Sequence, residues 1–537
     1  MPNVEPFIKT CVVPKQIRII LTHHPTCRVP EQADIGELYP RPSREIDYCL
    51  PKPTSGWGWA RLLHRADRLV GLYQRFPVRP LRRLAERRIT DWIVGHQEAD
   101  GSWAGIQPPW VYSLIALHHL GFPADHLVMR KGFAGFKGFA IEDEDTWRIQ
   151  ACVSPVWDTC LVQQALLESG MAGDDAMVQR STRWLLDEQI LSGGDWQVRA
   201  KRAKPGGWAF EFANDLYPDI DDASEVIMAL AMARLSPEEE PRREQAIRRG
   251  VDWLVAMQSK GGGWASFDRN NTGIYLTKLP FADFGETLDP PSVDVTAHMV
   301  EMFGKLGYSR EFGPLRRAYR YIRQEQEEDG SWFGRWGVNY TYGVGAVLPA
   351  LAAIGEDMRQ PYVRRAVDWL LSHQNQDGGW GESCGSYVDP SLHGVGPSTA
   401  SQTAWGLLAL LASGEATHPA TARGVDYLLH TQMEDGCWDE PYFTGTGFPG
   451  YGVGERLKRL PKAKERGYQG LDLPAGFMIN YHMYRNCWPL LALGRYRQTA
   501  ALSLPSLLMG EGQDGGDVPH LNPRRQGERM QQTATER

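Results

Sequence analysis

Tyr217-Pro218-Asp219-Ile220-Asp221-Asp222 crowds carboxyls together at the entrance to an apolar stretch. Two further aspartates hold the same place in neighbouring apolar segments. Asp158 follows Ser154-Pro-Val-Trp157, and Asp294 opens Asp294-Val-Thr-Ala-His298. Carboxyls crowded into a dry site cannot all ionise, so at least one keeps its proton at neutral pH and can donate it. His298 lies four residues after Asp294, on the same helical face, and could stabilise the conjugate base by a hydrogen bond or as an imidazolium. Each feature also has a plainer reading. Three aspartates in this spacing arise by chance in about a tenth of chains of such composition, and an N-cap with acidic first-turn residues explains them without chemistry. A lone histidine in an apolar segment is ordinarily a packed core residue. An Asp-rich cluster with one His also suggests a divalent metal, although helical segments offer few flanking carbonyl or amide ligands. Register tips the balance toward chemistry: if the apolar helices run parallel, all these carboxyls meet at one mouth.

Aromatic residues gather near the same helix starts: Trp157, Phe210, Trp336, Tyr340, Tyr342, Phe448, Phe477, Tyr481 and Tyr484. An apolar, aromatic chamber with one strong acid suits chemistry on a hydrocarbon through carbocations. Each ring face stabilises a desolvated cation by ~2 kcal/mol, so several acting in turn matter more than any one. General acid catalysis alone supplies only about 10²–10⁴-fold, too little to protonate an unactivated alkene. The ring lining and the exclusion of water must supply the rest.

The elements that would position these residues announce themselves as a repeat. A glutamine, three residues, a glycine, one residue and a tryptophan recur at Gln97–Trp103, Gln258–Trp264, Gln326–Trp332, Gln374–Trp380 and Gln432–Trp438. Chance predicts about 0.1 such matches, so the repeat is internal and real. A looser copy with one extra residue is Gln189, Gly193, Trp196. Each copy closes a helical stretch at a Gly-containing turn, where an amide and an indole can tie one helix end to the next. Between copies lie apolar segments such as Asp158–Gly170, Asp221–Leu235, Asp294–Gly307, Tyr342–Gly355 and Ser401–Gly414, apolar nearly all round and so inner helices. Repeat-bearing helices carry more Arg, Asp and Glu and read as outer ones. The expected fold is all-α, an α/α barrel or toroid of alternating inner and outer helices. Residues 141–498 form the complete catalytic barrel, and residues 499–537 a disordered tail.

Residues 1–140 hold one repeat copy, a Pro-rich stretch from Pro30 to Pro53 and the amphipathic segment Trp57–Phe76. In that segment Trp59, Leu62, Leu63, Ala66, Leu69, Val70 and Tyr73 form an apolar face beside Arg61, Arg65 and Arg68. Such a face either packs on a core or lies in a membrane interface. The net charge of −7 gives no electrostatic reason to expect nucleic acid. Cys11, Cys27, Cys49, Cys152, Cys160, Cys384, Cys437 and Cys487 make neither metal-type pairs nor a disulfide framework, which fits a reduced, cytoplasmic compartment. No signal peptide and no run of membrane-span length stands out.

At this point the chain resembles the squalene–hopene cyclases, triterpene cyclases that protonate an alkene. The likeness runs from about Arg41 to Arg497. It rests on Gly105-Ile-Gln-Pro-Pro-Trp110, Val153-Ser-Pro-Val-Trp-Asp158, the acidic motif at 219–222, Asp289-Pro-Pro, Asp294–His298, Gly330-Ser-Trp-Phe-Gly-Arg-Trp-Gly-Val-Asn-Tyr340 and Gly445-Thr-Gly-Phe-Pro-Gly450. The resemblance implies a second, partial α/α barrel in residues 1–140 and cyclisation of squalene to hopene and hopanol without cofactor or metal. It implies a homodimer held peripherally on the cytoplasmic side of the cell membrane, with Trp57–Phe76 as the inserting helix. Asp221 would be the proton donor, flanked by Asp219 and Asp222 and hydrogen-bonded by His298. Asp158 and Asp294 fall on positions that support reprotonation through water. Trp157, Phe210, Trp336, Tyr342, Phe448, Phe477, Tyr481 and Tyr484 match chamber aromatics. Gln107 and Pro108 match the far end, where the last cation loses a proton or takes up water. Phe281 and Phe284 match the constriction that admits substrate.

The chain departs from the family pattern in three places. Phe267 stands where a chamber tyrosine is common, so the ring is kept and its hydroxyl lost. A segment near Tyr451–Leu473 separates the Phe-Pro-Gly motif from Phe477 and reads as a surface loop. Met1–Ile35 has only faint likeness, and most of the family's second barrel has no counterpart. Two further readings therefore stand beside squalene cyclisation: a cyclase of another polyprenyl substrate, and a truncated, non-catalytic α/α-barrel protein.

Overall fold

The computed structural model describes residues 13–23, 30, 36–38, 41–42, 45, 59–272, 289–387, 389–446 and 478–503. The described residues divide into two units after Val153.

The first unit contains α1 (Val13–His23), α2 (Trp59–Arg75), α3 (Arg79–Gly95), α4 (Gln107–His119) and α5 (Leu127–Phe136). A short antiparallel hairpin, β1 (Ala140–Glu142) and β2 (Trp147–Ile149), pairs Ala140 with Ile149. Its core is Trp103, Trp110, Leu114, Leu117, Met129 and Phe139, joined by Ile19 from α1. Gln16 of α1 donates to Ser113 Oγ of α4 at 3.0 Å. A packed helix therefore occupies part of the Met1–Ile35 stretch that looked least like the family. Among the described side chains of α2 and just past its end, Leu62, Leu69, Leu72 and Phe76 are 56–75% exposed. Val78, Leu81 and Leu84 extend the exposed apolar surface onto α3.

The second unit alternates inner and outer helices: α6 (Pro155–Glu168), α7 (Ala176–Asp187), α8 (Ile220–Met232), α9 (Glu240–Met257), α10 (Val293–Lys305), α11 (Gly313–Gln324), α12 (Tyr340–Ala353), α13 (Pro361–Ser372), α14 (Ala400–Ala412), α15 (Pro419–Thr431) and α16 (Tyr484–Ser503). Helices α6, α8, α10, α12, α14 and α16 each pack on the next, and α16 packs back on α6, closing a ring. Outer helices α7, α9, α11, α13 and α15 each lie against the inner helix they follow. The sequence dictates this division. Every residue of α12 from Tyr340 to Leu351 is buried, whereas α11 buries Leu315, Ala318 and Ile322 and turns its arginines outward. Helix α16 continues through Ser503, past the start of the expected tail. Strands β3 (Gly445–Thr446) and β4 (Met478–Ile479) form a second antiparallel pair.

The repeat works by hydrogen bonds. In each copy the tryptophan Nε1–H donates to a helix carbonyl four residues before the repeat glutamine: Trp264 to Leu254, Trp332 to Ile322, Trp380 to Leu370, Trp438 to Leu428 and Trp103 to Ile93. In every copy but that of Gln432 the glutamine amide donates twice. One bond closes its own turn, as from Gln326 to Gly330 O, and the other reaches the first turn of the next outer helix, as to Tyr362 O. Its oxygen accepts from an arginine of that helix, Arg365 for Gln326 and Arg317 for Gln258. A carbonyl, an amide and a guanidinium thus stitch consecutive outer helices into a girdle.

The looser sixth copy is not Gln189, Gly193, Trp196. Gln189 Nε2 donates to Gly206 O and to Ala246 O, both at 2.9 Å, and Trp208 Nε1 donates to Leu185 O at 2.6 Å. Gly206 and Trp208 therefore complete this copy across an inserted loop, while Trp196 packs edge-on against Trp253. Spacing alone pointed to the wrong tryptophan, because the insertion separates the glutamine from its partners.

The repeat glycine is required twice over. Gly262 has φ +99°, and a Cβ there would lie 2.5 Å from Arg317 O. Gly261, next to it, has open space and ordinary backbone. Gly262→Ala should lower stability by about 2 kcal/mol or more, through left-handed strain plus the clash, while Gly261→Ala stays within about 0.5 kcal/mol of wild type. Denaturant melts of the two variants check this; equal melts would refute the steric argument.

Candidate active site

The starts of α6, α8, α10, α12 and α16 meet at one mouth. Pro218 and Asp219 set the start of α8: Asp219 is the N-cap, and its Oδ1 accepts from the backbone N–H of Asp221 (2.7 Å) and Asp222 (3.3 Å). The capping reading is thus right for Asp219, and it frees Asp221 for another partner. The Asp221 carboxyl meets His298 Nδ1 at 2.7 Å, and both side chains are buried. His298 stands one turn into α10, and its ring faces Tyr342 of α12 edge-on at 6.0 Å. Asp222 is buried with Oδ1 lacking a partner. Asp158, in the first turn of α6, accepts from Ser154 Oγ at 3.0 Å.

Burial governs the charges here. It drives the Asp219 and Asp222 carboxyls well above the usual carboxylate range, and the neighbouring aspartates push the same way. Burial lifts Asp158 to about 6 against the Ser154 hydrogen bond. His298 behaves oppositely. Burial disfavours its charge, but the Asp221 carboxylate, through its field and hydrogen bond, raises the imidazolium to about 10, with help from Glu225 and Asp294. The site is a set of near-neutral acids, Asp158, Asp219 and Asp222, around the hydrogen-bonded Asp221–His298 pair. Among the described residues no three His, Cys, Asp or Glu side chains are grouped to hold a metal ion.

Aromatic rings line the same region. Trp157 Nε1 donates to Tyr484 Oη at 3.1 Å, Tyr484 stacks on Tyr481 at 4.5 Å, and Phe210 meets Tyr481 edge-on at 6.2 Å. Phe267 lies 6.4 Å from Trp336 and 5.4 Å from Tyr217. Tyr340 joins a different group, against His393 and Phe333. Phe281, Phe284, Phe448, Phe477 and the segment near Tyr451–Leu473 lie outside the described residues. Gln107 and Pro108 belong to the first unit, where they open α4 and Gln107 N–H donates to Ala151 O.

Asp294 has a positioning task that its sequence context hid. Its Oδ2 accepts the backbone N–H groups of Arg335 (3.0 Å) and Trp336 (2.8 Å), fixing the loop that carries the Trp336 ring. The Trp336 indole donates to Ser266 Oγ at 2.6 Å. Arg335, fully buried, binds that same hydroxyl and Pro290 O, and Asp289 accepts from the backbone N–H of Phe267 and Asp268. One polar brace therefore holds both Phe267 and Trp336.

Residues 153–453 and 455–498 match the family model of the squalene–hopene cyclase C-terminal domain. The chain belongs to the squalene–hopene cyclase family. Residues 4–145 match the N-terminal domain of that family, so the likeness begins well before Arg41 and includes the opening stretch. The chain is 46% identical to the squalene–hopene cyclase of Alicyclobacillus acidocaldarius, over 90% of this chain and 71% of that relative. Identity is 38% to a probable squalene–hopene cyclase of Sinorhizobium fredii, over 91% of this chain and 72% of the relative. It is 37% to a dammaradiene synthase of Dryopteris crassirhizoma, over 91% and 70%. The chain is thus an enzyme of the triterpene-cyclising class.

Sequence reading missed Glu225, one turn after Asp221, whose carboxyl lies 3.7 Å from His298 Nδ1. It also missed Trp405, packed 4.7 Å from Tyr342. The i,i+4 spacing of Asp221 and Glu225 was the available signal.

The elevated His298 value carries a linkage. Its folded value of about 10 lies above the ordinary 6.5, so its contribution to stability is complete below pH ~6.5 and fades as pH rises through about 10. The stability difference between wild type and His298→Gln should shrink between pH 7 and 10.5 in denaturant melts. A constant difference would mean that the imidazolium is not held by Asp221.

Proposed function

We propose that the chain cyclises squalene to hopene and hopanol, with Asp221 as the acid. The observation that carries this reading is a buried carboxyl paired with a histidine at an aromatic-lined mouth. The Asp221 O–H proton passes to a terminal alkene carbon, the π pair forms the new C–H bond, and a tertiary cation results. Successive alkenes then attack, each closing a ring and moving the cation along. Loss of a proton gives hopene; capture of water gives hopanol. His298 neutralises the carboxylate left on Asp221, while Asp219 and Asp222, held near neutral, add little negative charge that would weaken the acid. The rings of Trp157, Phe210, Phe267, Trp336, Tyr342, Tyr481 and Tyr484 face the travelling cation in turn, each worth ~2 kcal/mol when desolvated. By family position Phe448 and Phe477 join them, Gln107 and Pro108 serve the terminal step, and Phe281 and Phe284 gate the substrate.

Asp221→Asn keeps the shape and lacks the acidic proton. Cyclisation should fall below ~10⁻³ of wild type with an unchanged melting curve. His298→Ala should slow turnover by about 10- to 100-fold, the loss of one charged hydrogen bond of ~1.5–3 kcal/mol. Mass spectrometry of products from squalene and from a shorter polyprene reads both the loss and the substrate. Near wild-type turnover by the Asn variant would remove Asp221 from the role of acid.

The same reading places the chain peripherally on the cytoplasmic face of a membrane. Exposed Leu62, Leu69, Leu72 and Phe76 offer apolar area worth about 25 cal/mol per Å² on burial, beside Arg61, Arg65 and Arg68. Among the described residues no helix is long and apolar enough to cross a membrane. Replacing Leu62, Leu69 and Leu72 with Asp should release the protein from vesicles and slow turnover of membrane-held squalene. Turnover of detergent-dispersed squalene should fall much less. Vesicle binding that survives the triple change would place the membrane surface elsewhere.

A further inference from the structure

A cyclase that gives away its acidic proton must recover one before the next turnover, and the second unit contains a line of titratable side chains suited to that step. On α8, Glu225 follows Asp221 by one turn; on α10, Glu301 and Lys305 follow His298 by successive turns, each about 5.4 Å down the axis. Glu225 and Glu301 line one cavity between the inner helices. Glu225 is buried, and one of its carboxyl oxygens accepts from Gln164 Nε2 at 2.7 Å while the other points to His298 Nδ1 at 3.7 Å. The same nitrogen therefore stands between two carboxyls, Asp221 above and Glu225 below.

Beneath this pair is a cavity of about 30 Å³, room for about two water molecules. Its polar lining is Glu225, His298, Gln164, Tyr342, Glu301 and Arg495, set among apolar side chains. Arg495 bridges Glu301 (3.1 Å) and Glu168 (3.3 Å) near the carboxyl ends of α6 and α10, and Lys305 joins Glu301 at 3.1 Å. The Arg495 side chain is 20% exposed and that of Lys305 27%, so this cluster reaches solvent. The charged groups facing Glu225 from the packed elements are Asp221 on its own helix, His298 and Glu301 from α10 and Arg495 from α16; Gln164 and Tyr342 are neutral.

We propose that Glu225 returns the proton to the Asp221–His298 pair, drawing it from water that enters at the carboxyl-terminal end of the barrel past Glu301 and Arg495. The proposal rests on Asp221 being the acid. After alkene protonation the pair is Asp221 carboxylate and His298 imidazolium. The Nδ1–H proton moves to Asp221 Oδ1, and the Glu225 O–H proton moves to Nδ1, restoring the acid and leaving a Glu225 carboxylate. That carboxylate takes a proton from water in the cavity, balancing the proton that hopene formation releases. Burial, reinforced by Asp221 and Glu301 and opposed by His298, raises Glu225 to about 7, so the group both holds and yields a proton near neutrality. Glu301, held to about 2 by Lys305 and Arg495 against its burial, stays ionised and anchors the route without competing for the proton.

Glu225→Gln keeps the size and can keep the Gln164 contact but carries no transferable proton. With enzyme in excess, its first turnover of detergent-dispersed squalene should run within about twofold of wild type, because Asp221 starts protonated. Steady-state kcat should fall at least tenfold, and Glu225→Asp should recover part of it. In both variants NMR of labelled His298 should show its imidazolium titrating lower, since a neighbouring carboxylate is lost or drawn back. An unchanged kcat for Glu225→Gln would overturn the relay. So would an equal fall in first turnover and kcat, which would mean that Glu225 only shapes the acid. An Asp221→Asn control separates the two readings: product in its first turnover would refute Asp221 as the acid whatever Glu225 does.

Discussion

Removing carboxyls from water while giving them a single imidazole for company is the constraint on which this site depends. An isolated ionised carboxylate in a dry interior costs many kcal/mol, and the protein meets that cost by keeping most of the group neutral. Asp219 spends its oxygen on the helix start, Asp222 stays protonated, and Asp158 leans on Ser154. Asp221 alone of the three motif aspartates is hydrogen-bonded to His298. An acid whose neighbours are neutral and whose conjugate base meets a cation is stronger than the same carboxyl in a crowd of charges. That distinction comes from geometry, since the three aspartates are chemically alike.

Geometry of this kind needs helix starts that do not drift. The inner helices are buried on all sides and closed into a ring, so a shift in one must be taken up by its neighbours. Outside them the girdle fixes outer helices to one another through a glutamine amide and an arginine, while the indole secures the end of its own helix. Its hydrogen bonds go to backbone carbonyls, so they fix the helices themselves and not only their side chains. The repeat therefore stabilises the barrel and sets the axial position of the helices that carry the chemistry. Catalytic groups mounted on such rigid elements hold their distances better than groups on loops.

The periodic features were legible in the sequence. The apolar runs opening at Asp158, Asp221 and Asp294 became α6, α8 and α10; their register brought His298 to the acidic cluster, and the family resemblance named Asp221 as its partner. What escaped depended on long-range closure. The sixth repeat was misassigned to Trp196 because hydrogen bonds, rather than spacing, choose Trp208. The anchoring task of Asp294 was hidden because no local pattern reveals that its oxygen receives two amides from a loop some forty residues on. Glu225 was hidden inside an apolar helix, where a single glutamate reads as noise until the cavity beside it is seen.

The barrel presents different chemistry at its two ends, and the difference resolves a conflict built into carbocation catalysis. A cationic intermediate is destroyed by water, yet the acid that makes it must be recharged from water. Aromatic rings crowd the amino-terminal mouth, whereas Glu168, Glu301, Lys305 and Arg495 cluster at the opposite end, partly open to solvent. If hydrocarbon meets the acid from one side and protons reach it from the other, neither has to share the other's path. Asp221 and His298 then form the partition: a hydrogen-bonded pair that transmits a proton along its axis while its packed surroundings, Tyr342 and Trp157 among them, hold the solvent back. A closed ring of helices suits that task, because its axis offers two ends.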